Sequence, residues 1–496
     1  MNENPNQPLI IIASNRGPVT FLKNEFEEQI MERGKGGLVT ALTGLTNHST
    51  INWISCAMSP DDALWMEGEL HEFQHGDNKM YVQFVTPDQD AYEAYYNEIS
   101  NPLLWFLQHS MWDIPRAPII NHQTWQAWDT GYVAINQLFA EKIAQTVNQS
   151  DQKTLIMLQD YHLYLTARNL RNNMLNPQAK IMHFIHIPWP GPEYWGILPP
   201  RMRQSILNSL CAVDMLGFQT KQDALNFIRT CQSYLPSARV NFRRNTVRYR
   251  KRITHVRDFP ISIDVQSLRE LAASPEAIAY GDEICEIVGD KKLILRVDRI
   301  EPSKNIIRGF QAFEEMLEMY PEYINQVVFL SMLVPSRLDV SEYQDYLDEL
   351  MAIAGRINAN YGNSEWEPVR LLVGENYPRA IAAMKEYDIL LVNAIADGMN
   401  LVAKEGPVVN QQDGVLLLSE QAGASQQLGK GAIVIPPCDV YATAKAMHRG
   451  LTMRKAERTK RAQFLRNNVE TEDIHTWLDN QLKEMRCLEQ EANLHG

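Results

Sequence analysis

Short apolar runs alternate with longer amphipathic stretches along this chain. Leu9–Ala13 (LIIIA), Ile51–Met58, Thr154–Leu158, Ile181–Ile185 and Val213–Phe218 are strand-sized and largely apolar. Such runs suit strands of a sheet covered on both faces. Between several of them, Tyr92–Gln108, Tyr164–Asn173 and Lys221–Tyr234 carry helical patterns. The alternation predicts parallel sheets with helices on both sides. The rhythm pauses near Phe259-Pro260-Ile261-Ser262 and restarts at Lys292–Val297 (KLILRV), with a helix from about Ser303. Strands Val327–Val334, Val369–Val373, Ile389–Asn393, Val415–Leu418 and Ala432–Ile435 follow. Two α/β units in tandem are therefore expected, residues 1–260 and 261–455. Residues 456–496 are charged and helical in pattern, and either cap the second unit or cross back to the first. No internal repeat or low-complexity tract interrupts the scheme.

A length of 496 residues suits two or three domains, and 45% apolar with 22% charged residues is an ordinary globular composition. The net charge of −13 disfavours any general attraction to nucleic acid or to an anionic membrane. Phosphorylated ligands must then be captured by local basic groups. The six cysteines (Cys56, Cys211, Cys231, Cys285, Cys438 and Cys487) are scattered, with no CxxC pair. They read as buried free thiols in a reducing cytosol. The first residues, MNENPNQP, are polar and show no secretory leader, and the longest apolar runs are too short to span a bilayer. A cytoplasmic protein is expected. One tract, Arg239–Arg257 (RVNFRRNTVRYRKRITHVR), alternates basic with apolar residues and reads as an exposed β-hairpin. A solvated face or contact with an acidic partner subunit describes it better than Arg with Phe242 and Tyr249 tracking a nucleic-acid strand.

Candidate chemistry sits where strands end. After the first strand comes Ser14-Asn15-Arg16-Gly17-Pro18, where Arg16 either holds a phosphate or makes a surface ion pair. Lys35-Gly36-Gly37-Leu38 opens a helix and reads as an anion-approaching turn or a plain tight turn. It is neither a P-loop nor a GxGxxG fingerprint. Gln159-Asp160-Tyr161-His162 places a carboxylate at a strand end, to bind sugar hydroxyls, act as a base or cap a helix. His186-Ile187-Pro188-Trp189-Pro190 is a rigid loop that would aim His186. In Arg299-Ile300-Glu301-Pro302-Ser303-Lys304, two cations at a helix start make a diphosphate clamp. The sharpest motif is Asp397-Gly398-Met399-Asn400-Leu401-Val402-Ala403-Lys404-Glu405-Gly406. There Asp397 suits sugar hydroxyls, the amides from Met399 to Val402 suit a phosphate, and Glu405 suits the two ribose hydroxyls.

With these motifs and Val334-Pro335-Ser336-Arg337, the chain resembles the trehalose-6-phosphate synthases, retaining transferases of the GT-B fold, from Ser14 to the C-terminal helical region. The resemblance implies two Rossmann-like domains with parallel sheets facing across a cleft. It also implies transfer of glucose from a nucleotide-glucose, UDP-glucose by default, to glucose 6-phosphate. On the donor side it implies Gly36, Gly37 and His186 near sugar and phosphates, and Arg299 and Lys304 at the leaving diphosphate. Asp397, Met399 and Asn400 would hold glucose, Leu401 and Val402 phosphate, and Glu405 ribose. Arg16, Tyr96 and Arg337 would hold the acceptor phosphate, and Trp105 and Asp160 the acceptor sugar. Trp105 also reads as an aromatic core position. Asp160, His186, Arg299 and Lys304 form the implied catalytic group. The nucleotide-sugar is a substrate, and neither a metal nor another cofactor is implied. Nucleic-acid and membrane partners are not expected, while a homo-oligomer is compatible.

The chain departs from the family pattern at Gln159, where His is usual, and at Glu301 and Pro302, where Asp and an aromatic are usual. Asn305 replaces a usual Gly, and Trp189 a usual Phe. Within the family, a glucosylglycerol-phosphate synthase using glycerol 3-phosphate and a pseudo-glycosyltransferase are the alternatives. A non-catalytic sugar-phosphate sensor is the reading from another class, weakened by the presence of Arg299, Lys304 and Glu405.

Overall fold

The computed structural model describes residues 8–23, 29–33, 42, 51–59, 62, 71–75, 78–150, 152–176, 178–337 and 340–495. The chain forms two compact units, Met1–Phe259 with Leu478–Gly496, and Pro260–Trp477. Residues 456–477 thus group with the second unit, and only the end of the last helix, Ile474–His495, groups with the first.

The first unit carries β1 (Leu9–Ala13), β2 (Val19–Lys23), β3 (Gln29–Arg33), β4 (Ile51–Cys56), β5 (His71–His75), β6 (Asn78–Val85), β7 (Thr154–Gln159), β8 (Lys180–Ile185), β9 (Met215–Phe218), β10 (Arg239–Asn241), β11 (Thr246–Tyr249) and β12 (Arg252–Asp258). Ten of them form one sheet in the order β10-β11-β12-β9-β8-β7-β1-β4-β6-β5, with β2 and β3 as a separate hairpin. From β12 to β6 every pairing is parallel, and β10, β11 and β5 add antiparallel edges. The central strands are buried on both faces, from Ile10 to Ala13 in β1 and across all of β7, which accounts for their unbroken apolar runs. Strand order reverses at β1, flanked by β4 and β7. The loops after β1 and β7 therefore diverge and leave a crevice at the strand carboxyl ends.

The expected helix Tyr92–Gln108 is wound differently. An α turn, Gln89–Glu93, passes into a π-helical stretch, Ala94–Trp105, and returns to α over Phe106–Gln108. Pro102 lies inside the π stretch, where its missing N–H removes one ladder bond. A second π stretch, Ala127–Val133, packs against the first at Gly131. Long π winding is rare and concentrates at functional sites.

The second unit carries β13 (Lys292–Arg299), β14 (Val327–Val334), β15 (Val369–Val373), β16 (Ile389–Val392), β17 (Val415–Ser419) and β18 (Ile433–Ile435). They form an all-parallel sheet in the order β15-β14-β13-β16-β17-β18. This is the doubly wound dinucleotide-binding order, with its switch point between β13 and β16. The core between sheet and helices includes Ile294, Phe310, Phe313, Met316, Phe329, Ile389, Leu391, Leu417 and Met447.

A charged residue interrupts this core. Arg296, in the middle of β13, is completely buried. Its guanidinium donates to Asp298 Oδ2 (2.8 Å), to the Lys304 carbonyl (3.1 Å) and to Asn393 Oδ1 just past β16. Asn393 Nδ2 donates to the Asn305 carbonyl (3.1 Å), and Asn305 Nδ2 to the carbonyls of Asn393 (2.9 Å) and Pro437 (2.7 Å). The loops after β13, β16 and β18 are thereby fastened together at the switch point. Asn305 is left-handed (φ 59°, ψ 39°), a conformation open to Asn and Gly and costly for most other residues.

Gly131 generates a stability prediction. A Cβ there would sit 2.7 Å from the Tyr95 backbone nitrogen and 2.8 Å from Ala94 Cβ. Gly131→Ala must push the two π stretches apart, and should cost about 1–3 kcal/mol. A lower urea midpoint than wild type is expected; an unchanged midpoint would show that this close approach is not required.

Candidate active site

The site is built where each sheet reverses its order. In the second unit, β13 delivers Arg299 at its carboxyl end, and the following 3-10 turn, Pro302–Lys304, delivers Lys304. The Ser303 carbonyl accepts from the Ile395 amide (2.8 Å), which brings the loop after β16 alongside. That loop holds Asp397, whose Oδ2 receives Lys304 Nζ at 2.5 Å and Asn400 Nδ2 at 3.0 Å. Asn400 has positive φ (78°), and its Oδ1 caps the Ala403 amide at 3.0 Å. Leu401 and Val402 then head the helix Val402–Val409. The positive end of that helix dipole and its first-turn amides favour an anion.

Burial alone would lower the Lys304 ammonium, but the carboxylates of Asp397, Asp298 and Glu301 outweigh it and hold the group above its usual range. Asp298 is pushed up to about 6 by burial, against the pull of Arg296 and Lys304. One turn into the helix, burial pushes Glu405 up to about 7, with Tyr377 Oη donating to it at 3.1 Å. Lys404 is buried, pushed down to about 7 by desolvation, and donates to the Ile261 carbonyl at 2.7 Å. Glu301, 1% exposed, lies 3.1 Å from Arg299 and 3.8 Å from Arg337, and accepts from Ser336 Oγ at 3.2 Å. Arg337 also donates to Tyr343 Oη (2.5 Å) and has left-handed backbone (φ 50°). Arg337, assigned to the acceptor by resemblance, thus shares one carboxylate with the clamp residue Arg299.

In the first unit, Asp160 follows β7 with φ 64° and ψ −179°. That region is almost exclusive to glycine, and a side chain held there costs about 1–3 kcal/mol. Four hydrogen bonds enforce it. The Asp160 amide donates to the Phe184 carbonyl (2.7 Å), and His183 Nε2 donates to the Asp160 carbonyl (2.9 Å). Tyr132 Oη donates to the Tyr161 carbonyl (2.5 Å), and Asn136 Nδ2 to the His162 carbonyl (3.0 Å). Asp160 Oδ1 accepts from the His186 amide at 3.2 Å. The His186 ring is pushed down to about 3, by burial and by His183 beside it, and is neutral.

Next to β1, Ser14 Oγ accepts from Trp53 Nε1 (2.8 Å) and donates to the Arg16 carbonyl (2.6 Å), leaving the Arg16 side chain exposed. Asn15 Nδ2 donates to Tyr92 Oη at 3.3 Å. Tyr92 stacks on Tyr96 with centroids 5.6 Å apart, and Tyr96 on His162 at 5.9 Å. The π stretch thus presents Tyr96 inside an aromatic ladder. Trp105, at its end, is 2% exposed and stacked on His109 at 4.0 Å, which is a packed core position.

Other expectations separate. Gly36 and Gly37 lie outside the described residues. Arg239–Arg257 is a three-stranded antiparallel edge, β10-β11-β12, and not a two-stranded hairpin; Tyr249 is buried in it and Phe242 is exposed. Cys56, Cys211 and Cys231 are buried free thiols, but Cys285, Cys438 and Cys487 are exposed, contrary to the sequence reading. Among the described residues no helix is long and apolar enough to cross a membrane. Sequence reasoning missed Arg296, Asn393, His183 and Gln219. An arginine within the apolar run KLILRV was the available signal for the first; the others carry none without the pairing of strands.

A family model for glycosyltransferase family 20 matches residues 8–487. A UDP-forming alpha,alpha-trehalose-phosphate synthase of Schizosaccharomyces pombe is 31% identical over 503 residues, covering 99% of this chain and 93% of that protein. A probable synthase of the same kind from Arabidopsis thaliana is 31% identical over 95% of this chain, which spans only 56% of that longer protein. Among solved structures, the E. coli trehalose-6-phosphate enzyme bound with UDP-2-fluoro glucose superposes with a TM-score of 0.82 at 27% identity, covering 96% of this chain and 98% of that one. A Burkholderia xenovorans synthase in complex with glucose-6-phosphate gives 0.80 at 26%, covering 96% and 100%. With its doubly wound sheets, the chain belongs to glycosyltransferase family 20 and has the GT-B class of fold.

Proposed function

We propose that the chain is a retaining glucosyltransferase that moves glucose from UDP-glucose to glucose 6-phosphate, giving trehalose 6-phosphate and UDP. The observation that carries the reading is the Lys304–Asp397–Asn400 cluster set against the head of helix Val402–Val409. A lysine ammonium, a carboxylate and the first amides of a helix lie together there, in a chain matched almost end to end by a UDP-forming synthase, which supports the reading. In this reading Asp397 accepts from glucose hydroxyls, beside the backbone of Met399 and Asn400. The amides of Leu401 and Val402 take phosphate, and Glu405 takes ribose. Arg299 and Lys304 face the departing diphosphate. Arg16, Tyr96, Asp160 and Arg337 serve the acceptor.

The acceptor hydroxyl oxygen attacks the anomeric carbon on the face from which the diphosphate leaves. The bond from that carbon to the diphosphate oxygen breaks, and the hydroxyl proton passes to the departing phosphate. The protein orients the two substrates and meets the growing negative charge with cations already in place. Side-chain cations and a helix terminus supply this charge, so we propose that no metal is needed.

The test is UDP release from UDP-glucose in the presence of chelator, with glucose 6-phosphate, glycerol 3-phosphate or glucose as acceptor. Release only with glucose 6-phosphate is expected. Release only with glycerol 3-phosphate would move the acceptor, and no release with any would overturn the reading. Lys304→Ala should lower kcat by about 10²–10³-fold with an unchanged circular dichroism spectrum. An unchanged kcat would remove Lys304 from the clamp.

Glu405 adds a pH dependence. Its carboxyl, raised to about 7 by burial, is largely protonated at pH 6 in the free protein. Ribose hydroxyls donating to it favour the carboxylate and lower its pKa. UDP binding at pH 6 should therefore release up to about one proton, and affinity should fall as pH drops below 7. Calorimetry in two buffers of different ionisation enthalpy reads this; zero proton release would place the ribose elsewhere.

A further inference from the structure

Three neighbouring parallel strands, β7, β8 and β9, end side by side, and each supplies one polar side chain there. Gln159 is the last residue of β7, His186 the first past β8, and Gln219 the first past β9. Both glutamines are buried, at 1% and 2% exposure. His186 Nε2 lies 3.0 Å from Gln159 Oε1, and Gln219 Nε2 lies 3.3 Å from His186 Nδ1.

The directions of these bonds are fixed by chemistry. An amide nitrogen only donates, so Nδ1 of the imidazole accepts from Gln219. The ring proton is then on Nε2 and is donated to Gln159 Oε1. The Gln159 amide is itself oriented this way round, because its Nε2 donates to the Met157 carbonyl at 3.5 Å. The His186 backbone is pinned as well, through its amide to Asp160 Oδ1. Each ring nitrogen is thus engaged by a buried amide.

We propose that Gln159 is a positioning residue that, with Gln219, holds His186 as a fixed neutral Nε2–H imidazole, so that His186 meets the donor as an oriented polar surface and neither gives nor takes a proton during transfer. The role in transfer rests on the functional reading above; the state of the ring does not. Burial and His183 both act against an imidazolium here. The ionisable groups around the ring in this unit include His183 on β8, pushed down to about 4 by burial, and Asp160 after β7, which faces the His186 backbone amide. Farther along, Asp223 at the head of helix Lys221–Tyr234 accepts from Thr220 Oγ1 and the Trp189 amide. A neutral ring suits the chemistry, because an imidazolium would oppose the positive charge that grows on the anomeric carbon as the diphosphate leaves.

The first test is nitrogen NMR of the full, unliganded chain labelled at histidine, with the His186 signals assigned by their loss in His186→Asn. The expected result is the Nε2–H neutral form, unchanged between pH 5.5 and 8. An Nδ1–H form, or titration within that window, would overturn the proposal. The second test is Gln159→Glu, which sets a carboxylate opposite Nε2–H and favours the imidazolium. Its ring should titrate inside the window, and kcat should gain an acid-side fall that wild type lacks, while the KM for glucose 6-phosphate stays within about twofold. Gln159→Leu should instead raise the donor KM several-fold without adding that limb. A Gln159→Glu pH profile identical to wild type would overturn the positioning role. The ring signature is read without substrate, so a failed transfer assay beside the expected spectrum would place the fault in the functional reading and not in the state of His186.

Discussion

A single buried guanidinium sets the order of the second unit. A charge removed from water must be paired or it is ruinous to stability, and Arg296 sits in the centre strand of the sheet with no water route in its fully buried state. The partners it takes are a carboxylate on its own strand, the carbonyl of Lys304, and Asn393 at the end of the neighbouring strand. Satisfying Arg296 therefore fixes the backbone that aims Lys304 and the start of the loop that carries Asp397. Gly309 belongs to the same constraint, because a Cβ there would lie 2.8 Å from the guanidinium, and helix Ile306–Met319 could not come so close. Left-handed Asn305 completes it, turning the chain from clamp to helix while its amide nitrogen bridges two further loops.

The first unit solves the same topological problem with neutral groups. Apart from the exposed Arg16, its crevice residues are amides, phenols, imidazoles and one carboxylate, and its backbone is strained at Asp160. That strain is held by hydrogen bonds from β8 and from the helical region around Tyr132 and Asn136, so the site depends on elements far away in sequence. The π winding serves the same end. Within it Tyr96 stacks on the ring of His162 and Trp105 is buried.

The fold was legible because buried parallel strands are long apolar runs with clear ends. Leu9–Ala13, Val327–Val334 and Val369–Val373 have their expected limits in the structure, and Lys221–Tyr234 is the helix its pattern describes. The short strands β2, β3 and β5 escaped, since mixed polar runs such as HEFQH carry no buried-strand signature. The π stretches escaped because periodicity arguments assume 3.6 residues per turn. At the candidate site, the residues proposed to face a ligand are those that strand-end position and motif single out. Those behind them are not, because Gln219, His183, Asn393 and Arg296 act through pairings that only the sheet order creates.

The charge balance around Lys304 explains how several cations can sit close together and, on the proposed reading, meet a diphosphate. Three cations, Arg299, Lys304 and Arg337, would repel one another strongly if gathered without counter-ions. Glu301 and Asp397 supply those counter-ions from within the cradle, at 3.1 and 3.8 Å from the arginines and 2.5 Å from the lysine. The cations are thus ordered before any ligand arrives, and little reorganisation is left for the moment of reaction, which is where preorganised charge gains its advantage. The same carboxylates limit how much charge the empty site carries. Asp298 and Glu405, raised toward neutrality by burial, are the groups through which that charge would adjust on the proposed binding of an anion and a ribose.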